Sequence, residues 1–187
     1  MKITNNELSH SLIDFSQAYV DAYQVKHLHL PLVEMDEQFT SPCIQGKHSE
    51  QTELWQPLEI ADELSFSNVE QGLELTLHPD ICQYFTTIYS DAIHASCTDG
   101  KLTLLLPWCE QDFARLQENI IGHVLMKQKL KQAITIFFAV TDDEDTILSL
   151  HNDSGEIWVE RIGREPHKKI ADSMTQFIQT LSPDIPE

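Results

Sequence analysis

Apolar residues at helical spacing open the chain and recur in its middle. Leu8, Leu12, Phe15, Tyr19 and Tyr23 follow one another every three or four positions, so they share one face of a helix. A second stripe predicts a helix over 110–131 and consists of Phe113, Leu116, Ile120 and Val124. Acids begin this helix and bases end it, which suits the helix dipole; the bases are Lys127, Lys129 and Lys131.

Alternating apolar and polar residues predict strands in the rest of the chain. The runs are "GLELTL" (72–77), "AIHASC" (92–97), "KLTLLL" (101–106), "AITIFFAV" (133–140), "TILSL" (146–150) and "GEIWVERI" (155–162). Short links such as "TDG" (98–100) join consecutive strands. Neighbouring strands must therefore run antiparallel.

Two further helices complete the prediction. Pro79 suits the first position of one helix. The other is expected from Glu165 to Leu181, with an inward-facing stripe that consists of Ile170, Met174, Phe177 and Ile178. Residues 34–62 show no sustained periodicity and predict a long, partly extended surface segment. The sequence thus predicts an α+β fold in a single domain over residues 1–187, with a mainly antiparallel central sheet and flanking helices at the N-terminus, middle and C-terminus.

Charge is the unusual feature of the composition. Thirty acids face twelve Lys and Arg residues, which gives a formal net charge of −18 and a pI near 4.7. Between residues 48 and 100 the chain has no Lys or Arg. Such a surface repels nucleic acid and anionic lipid and attracts basic partners. Two interpretations stay open at this point, solubility alone and a basic partner.

The compartment follows from what the sequence does not contain. Its longest apolar runs are far shorter than the roughly 20 residues that span a bilayer, and the first residues show no secretory signal. The four cysteines, which form no CxxC pair, are Cys43, Cys82, Cys97 and Cys109. Reduced thiols and a cytoplasmic location are expected.

The sequence contains one spacing that resembles a zinc site. His78, Cys82, His94 and Cys97 follow the pattern H-x3-C…H-x2-C. The predicted elements scatter these side chains over a strand end, a helix and two faces of a strand. Separate buried thiols and imidazoles are the favoured interpretation, and no metal or cofactor is predicted.

No catalytic constellation emerges from the remaining residues. Cys109 is expected to cap the 110–131 helix, but the neighbouring Glu110 and Asp112 oppose its thiolate, and His123 is expected to be a hydrogen-bonded packing residue. Carboxylate pairs carry no information in a chain with thirty acids. Trp55 and Trp108 lie beside prolines and are either interface anchors or core residues.

Several motifs resemble those of one known protein family. "SPCI" (41–44), "WQP" (55–57), "YFTT" (84–87), Asp91 with His94-Ala95, "KLTLLLPW" (101–108), "DFARLQENIIGH" (112–123) and "SGEIWVE" (154–160) resemble the Syd proteins, the SecY-interacting proteins of the SUKH superfamily. The resemblance covers nearly the whole chain. Segments 34–40 and 46–53, the Asp142–Asp145 loop and the C-terminal tail look variable, and no role is assigned to them.

The resemblance implies a protein without enzymatic activity at the cytoplasmic face of the inner membrane. It would bind the basic cytoplasmic loops of SecY through an electronegative groove, regulate or monitor the translocase, and reach the membrane only through SecY. The candidate partner-binding residues, chosen by charge and motif, are Asp91, Glu110, Asp112 and Glu118, followed by Glu70 and Glu74. The alternatives are an immunity-type protein that neutralises a basic toxin, and a hydrolase with carboxylates or a Cys/His pair.

Overall fold

The computed structural model describes residues 6–36 and 38–187. Its helices are α1 (Asn6–His27), α2 (Ser67–Leu73), α3 (Pro79–Phe85), α4 (Glu110–Lys129) and α5 (Met174–Gln179). Its strands are β1 (Leu32–Glu34), β2 (Ile44–Lys47), β3 (Thr52–Trp55), β4 (Leu58–Glu59), β5 (Ile88–Tyr89), β6 (Ile93–Cys97), β7 (Gly100–Leu104), β8 (Thr135–Thr141), β9 (Thr146–His151), β10 (Ile157–Arg161), β11 (Lys168–Ala171) and β12 (Ser182–Pro183).

A seven-stranded antiparallel sheet forms the centre, in the order β11-β10-β9-β8-β7-β6-β12. Its hairpins follow directly from the alternating runs, and the β6–β7 hairpin pairs Cys97 with Gly100 across a tight turn. A separate three-stranded sheet has the order β1-β3-β2, and β4 pairs with β5. The predicted α+β fold with a mainly antiparallel sheet and flanking helices is confirmed.

Helices cover both faces of the central sheet. Two neighbouring residues of β8, whose side chains point in opposite directions, contact different helices. Phe137 contacts the ring of His123 on α4. Phe138 contacts Tyr84 on α3 and Phe177 on α5. Helix α1 packs against α3, α5 and β12. The first predicted stripe is thus largely buried, and α4 lies on the other side of the sheet.

The strand predicted over 72–77 is wrong. Residues up to Leu73 belong to α2, and the helix ends where Glu74 takes a left-handed conformation with φ of 51°. Residues 75–77 are extended, but within the described residues no strand pairs with them. Instead, Glu70 Oε1 accepts the N–H of Leu77 at 2.9 Å. The alternating leucines pack into the core without forming a ladder.

The helix predicted from Glu165 to Leu181 is wrong in its first half. Residues 168–171 form β11, which pairs with β10 at the edge of the sheet. The helix begins only after Ser173, whose side chain accepts the N–H of Gln176 at 3.2 Å. Met174, Phe177 and Ile178 are buried as predicted. Ile170 also fits the helical spacing of these residues, but it lies in a strand, because backbone pairing with β10 decides its conformation.

Candidate functional site

A concave groove of about 500 Å³ lies where the three-stranded sheet meets the beginning of α4. Residues from four separate parts of the sequence form it. Its lining consists of Val33, Glu34, Met35, Asp36, Phe39, Ile44, Glu53, Asp91, Trp108, Asp112 and Arg115. We call this surface the acidic groove.

The acidic groove carries five carboxylates and one guanidinium. The carboxylates belong to Glu34, Asp36, Glu53, Asp91 and Asp112, and the guanidinium belongs to Arg115. Charges of one sign in a concave, partly apolar surface reinforce one another, because the low-dielectric walls screen them less than bulk water does. Such an arrangement favours positively charged groups over negatively charged ones.

Two aromatic rings stand beside these carboxylates. Trp108 Nε1 donates to the backbone oxygen of Phe39 at 3.3 Å, so the two residues are tied together. Ser41 donates its hydroxyl to the Trp108 oxygen at 2.5 Å. Trp108 is only partly buried and contacts the buried Trp55 edge to face, with ring centres 6.1 Å apart. Of the two tryptophans, Trp55 belongs to the core and Trp108 to the groove.

Asp91 lies half-buried in the acidic groove. Its Oδ1 accepts the N–H of Ala92 at 2.8 Å. Burial raises the pKa of Asp91, and the nearby Asp112 raises that pKa further, while the Ala92 bond and His94 oppose the shift. Among the described residues, no Lys or Arg forms an ion pair with Asp91. A half-buried carboxylate without a cation is the kind of group that a basic ligand would satisfy.

Asp112 lines the groove and also forms hydrogen bonds that stabilise the start of α4. Its Oδ2 accepts the N–H of Trp108 at 2.9 Å, which fixes the chain where it enters α4. Its Oδ1 accepts from Arg115 at 2.9 Å. Replacing Asp112 would therefore change the start of the helix as well as the charge of the groove.

The other predicted residues lie outside the acidic groove. Glu110 is exposed in the first turn of α4, and Glu118 lines an adjoining depression of about 420 Å³ together with Asp112 and Arg115. Glu70 lies in the first turn of α2 and accepts the backbone N–H of Leu77, and Glu74 is the C-cap residue of the same helix. The structure therefore brings Asp91 and Asp112 together and leaves these four acids apart.

Sequence reasoning missed Glu34, Asp36 and Glu53. They lie in segments that showed no periodicity and looked variable, so no role was assigned to them. In the structure, β1 pairs with β3 so that Val33 faces Glu53, and both side chains line the groove. The acid-rich run at 34–37 was the one available signal.

Within the described residues, no three His, Cys, Asp or Glu side chains are placed to hold a metal ion. The four cysteines are free thiols. Burial raises the pKa of Cys43 to about 11, and Cys109 caps α4 through its backbone without a side-chain cap bond. The described lining of the acidic groove contains no Ser, Cys, His or Lys.

A buried ion pair was also missed. Lys127 was predicted only to suit the negative end of the helix dipole; its side chain is fully buried and its Nζ lies 3.1 Å from Glu160 Oε2. Thr135 donates its hydroxyl to the same carboxylate at 3.0 Å. Nearby, His123 Nε2 lies 3.3 Å from Thr135 Oγ1. Lys127 continues the apolar stripe three residues after Val124, which was the signal for its burial.

The lowered pKa of His123 fits this environment. Burial is the largest cause, and the charge of Lys127 adds to it, so that the pKa falls to about 4. The ring is therefore neutral at pH 7. His123 contacts Phe137 and Thr135 as a packing residue, as predicted.

Comparison with known proteins adds the family context. A family model described as Syd protein (SUKH-2) matches residues 9–183. A protein named Protein Syd from Colwellia psychrerythraea is 51% identical over 191 residues, which cover 97% of this chain and 96% of the relative. Proteins of the same name from Alteromonas mediterranea and Yersinia pseudotuberculosis are 43% and 37% identical, covering 94% and 96% of this chain and 96% and 98% of the relatives. Among the described residues, no helix is long and apolar enough to cross a bilayer.

Proposed function

The chain belongs to the Syd family, and from this membership we propose that it binds the basic cytoplasmic loops of SecY through the acidic groove. It acts as a binding protein without catalysis, at the cytoplasmic face of the inner membrane, and it regulates or monitors the translocase. The observation that carries the proposal is the groove itself, in which five carboxylates and two aromatic rings surround one arginine.

The charge of the acidic groove matches the charge of such loops. Cytoplasmic loops of membrane proteins are enriched in Lys and Arg. Complementary charges speed the encounter and make binding sensitive to salt, because ions screen exposed charges beyond about 8 Å at physiological ionic strength. An acidic groove facing a basic loop is thus a fast and salt-dependent contact.

The aromatic residues give the groove a second means of holding a cation. The guanidinium of Arg115 lies 4.5 Å from the centre of the Phe39 ring while it pairs with Asp112. Stacking on a ring together with pairing to a carboxylate is a favourable arrangement for arginine. We propose that an arginine of the partner uses Trp108 and Asp91 in the same manner.

The experiment that tests this proposal is binding to SecY in nanodiscs at low and at high salt, with empty nanodiscs as the control. The expected result is binding that requires SecY and weakens as salt rises. Binding to SecY that does not change with salt would contradict a groove that works by charge, and no binding at low salt would contradict the function.

A matched pair of variants assigns the contact to the acidic groove. Glu34→Gln with Glu53→Gln removes two groove charges that serve no cap or ion pair among the described residues, and we expect binding to weaken about five- to thirtyfold, since each exposed charge contributes roughly 0.5–1 kcal/mol. Glu144→Gln with Asp145→Asn removes the same charge from the exposed β8–β9 loop. Equal weakening by both variants would mean that only net charge matters.

A further inference from the structure

The acidic groove continues beyond Arg115 into a second concave surface. The adjoining depression of about 420 Å³ shares Asp112 and Arg115 with the groove. The connection between β7 and α4 also borders both surfaces, with Leu105 and Leu106 in the depression and Trp108 in the groove. The two concave surfaces are therefore parts of one trough that follows the first half of α4.

Apolar side chains distinguish the second part of the trough. Its apolar lining consists of Leu105, Leu106, Leu116 and Phe137, and we call this surface the apolar depression. All of these except Leu106 are only partly buried. Leu116 and Phe137 pack against the core with one side, so their other side forms the wall of an open, apolar concavity.

The apolar depression exists because β7 leaves the sheet before β8 ends. Strand β7 pairs with residues 139–141 of β8, and the next contact is the N–H of Leu105, which donates to the Phe138 oxygen at 2.9 Å. The chain then turns towards α4. Within the described residues, no strand continues beside Phe137 on that side, so its ring is covered only in part, by His123 of α4.

The charge of the trough changes at Arg115. The acidic groove has five carboxylates around one guanidinium, whereas the lining of the apolar depression has the two carboxylates of Asp112 and Glu118. Asp112 is already paired with Arg115 at 2.9 Å, which leaves the exposed Glu118. A cation of the partner is therefore favoured in the groove, and it would meet the like charge of Arg115 on the way to the depression.

We propose that the apolar depression takes an apolar side chain from the same basic segment that the acidic groove binds. This inference rests on the proposed function and specifies the partner further. The cation lies in the groove, an uncharged stretch passes Arg115, and an aliphatic or aromatic residue enters the depression. Basic residues of cytoplasmic loops lie near the ends of apolar membrane-spanning helices, so such loops offer both kinds of residue.

The length of the trough sets the spacing of these two residues. Asp112 and Asn119, which lie in the two parts of the trough, are seven positions apart on α4. At 1.5 Å per residue the helix covers about 10 Å over this interval, and an extended chain covers the same distance in about three residues. The partner should therefore carry its apolar residue about three positions from its nearest cation.

Two labelled peptides test the inference by fluorescence anisotropy. Both contain three consecutive arginines. The first has a leucine three positions away on either side, with serines between, and the second has serine in place of both leucines. The leucine peptide should bind about fivefold more tightly, because a partly buried leucine gains part of its full burial energy. This ratio should persist as salt rises and both affinities fall, since salt screens charges but not apolar contacts.

Variants of the trough assign the preference for leucine to the apolar depression. Leu105→Ser removes one wall and should bring the ratio of the two affinities close to one. Asn119→Leu extends the apolar surface at an exposed position and should raise the ratio about twofold or more. Leu130→Ser is the matched control, because this leucine is 48% exposed at the far end of α4, and it should leave the ratio as it is. Thermal unfolding shows whether each variant is folded.

Several outcomes would overturn the inference. Equal binding of the two peptides would do so and leave the proposed function standing, since that function requires only charge. A preference for leucine that neither Leu105→Ser nor Asn119→Leu changes would place the apolar contact elsewhere. A dimer that forms without peptide and that Leu105→Ser abolishes, seen by light scattering, would mean that a second copy covers the depression. Failure of both peptides to bind at low salt would also overturn the inference, whereas SecY nanodiscs decide the proposed function separately.

Discussion

Replacing Lys127 with Met tests whether the buried ion pair holds α4 on the sheet. Met has nearly the volume of the lysine stem, so the change removes the charge and leaves the packing almost intact. Glu160 would then keep its carboxylate fully buried with Thr135 as its remaining close donor, and the Arg164 carbonyl would lose the Lys127 N–H. The variant thus isolates the cost of an uncompensated buried charge.

The expected loss is large compared with the stability of a domain. Removing one partner of a buried pair costs about 3–5 kcal/mol, and domains are stable by only about 5–15 kcal/mol. For a chain of this length, 1 kcal/mol shifts the melting temperature by about 2–4 °C. We therefore expect a melting temperature lower by roughly 6–20 °C.

Urea unfolding, followed by circular dichroism, measures this loss directly as a change in the free energy of unfolding. Lys129→Met is the matched control, because Lys129 is exposed on the same helix two residues away; its effect should stay within about 0.5 kcal/mol. The double variant Lys127→Met with Glu160→Gln should recover part of the loss, because the buried charge is gone. A Lys127→Met variant as stable as Lys129→Met would refute the reasoning.

Three further predictions concern single residues. The pKa of His123 in the folded protein is about 4, below its ordinary value near 6.5, so the unfolded chain binds a proton first as pH falls. The free energy of unfolding should therefore fall as pH drops from about 6.5 to about 4. In urea titrations at both pH values, His123→Gln should reduce that fall by up to about 3 kcal/mol. Gly155→Ala should lower the free energy of unfolding by about 2–4 kcal/mol, because φ is 74° and the new Cβ would lie 2.6 Å from His78 Nε2. Gly163→Ala is the control, with φ of 76° but open space around it, and it should cost only about 1 kcal/mol. Equal losses in the two variants would show that the clash with His78 has no effect. Burial raises the pKa of Asp91, so its ionised form lowers the stability of the fold as pH rises through that pKa. Asp91→Asn should therefore leave the free energy of unfolding at pH 7 unchanged or higher, while SecY binding weakens. A clear loss of stability would show that the carboxylate is structural.

Most helices and strands could be predicted from the sequence, because the pattern that predicts each one lies within its own residues. Helices α1 and α4 each bury one face, and strands β6 to β10 are short runs of alternating or continuous apolar residues, so the spacing of the apolar residues predicts these elements without knowledge of their neighbours. The acidic end of α4, the Asp-Gly turn at 99–100 and the motifs of the Syd family likewise depend only on nearby residues. Fold class and family therefore followed from the sequence.

Longer-range pairing decided the rest. The Leu73–Leu77 alternation would fit a strand, but no partner strand reaches it among the described residues, and β11 exists only because β10 offers it an edge. A strand needs its neighbour's hydrogen bonds, so such segments cannot be assigned from their own residues alone.

The candidate site divides in the same way. Charge and motifs singled out Asp91 and Asp112, which the structure places together in the acidic groove. Glu34, Asp36 and Glu53 join them only because the three-stranded sheet packs beside the start of α4, some sixty to eighty positions later in the chain. Composition determined that this protein is strongly acidic. Only the tertiary structure decided which acids meet in one concave surface, because net charge is a sum over the chain whereas a binding surface depends on distances in space.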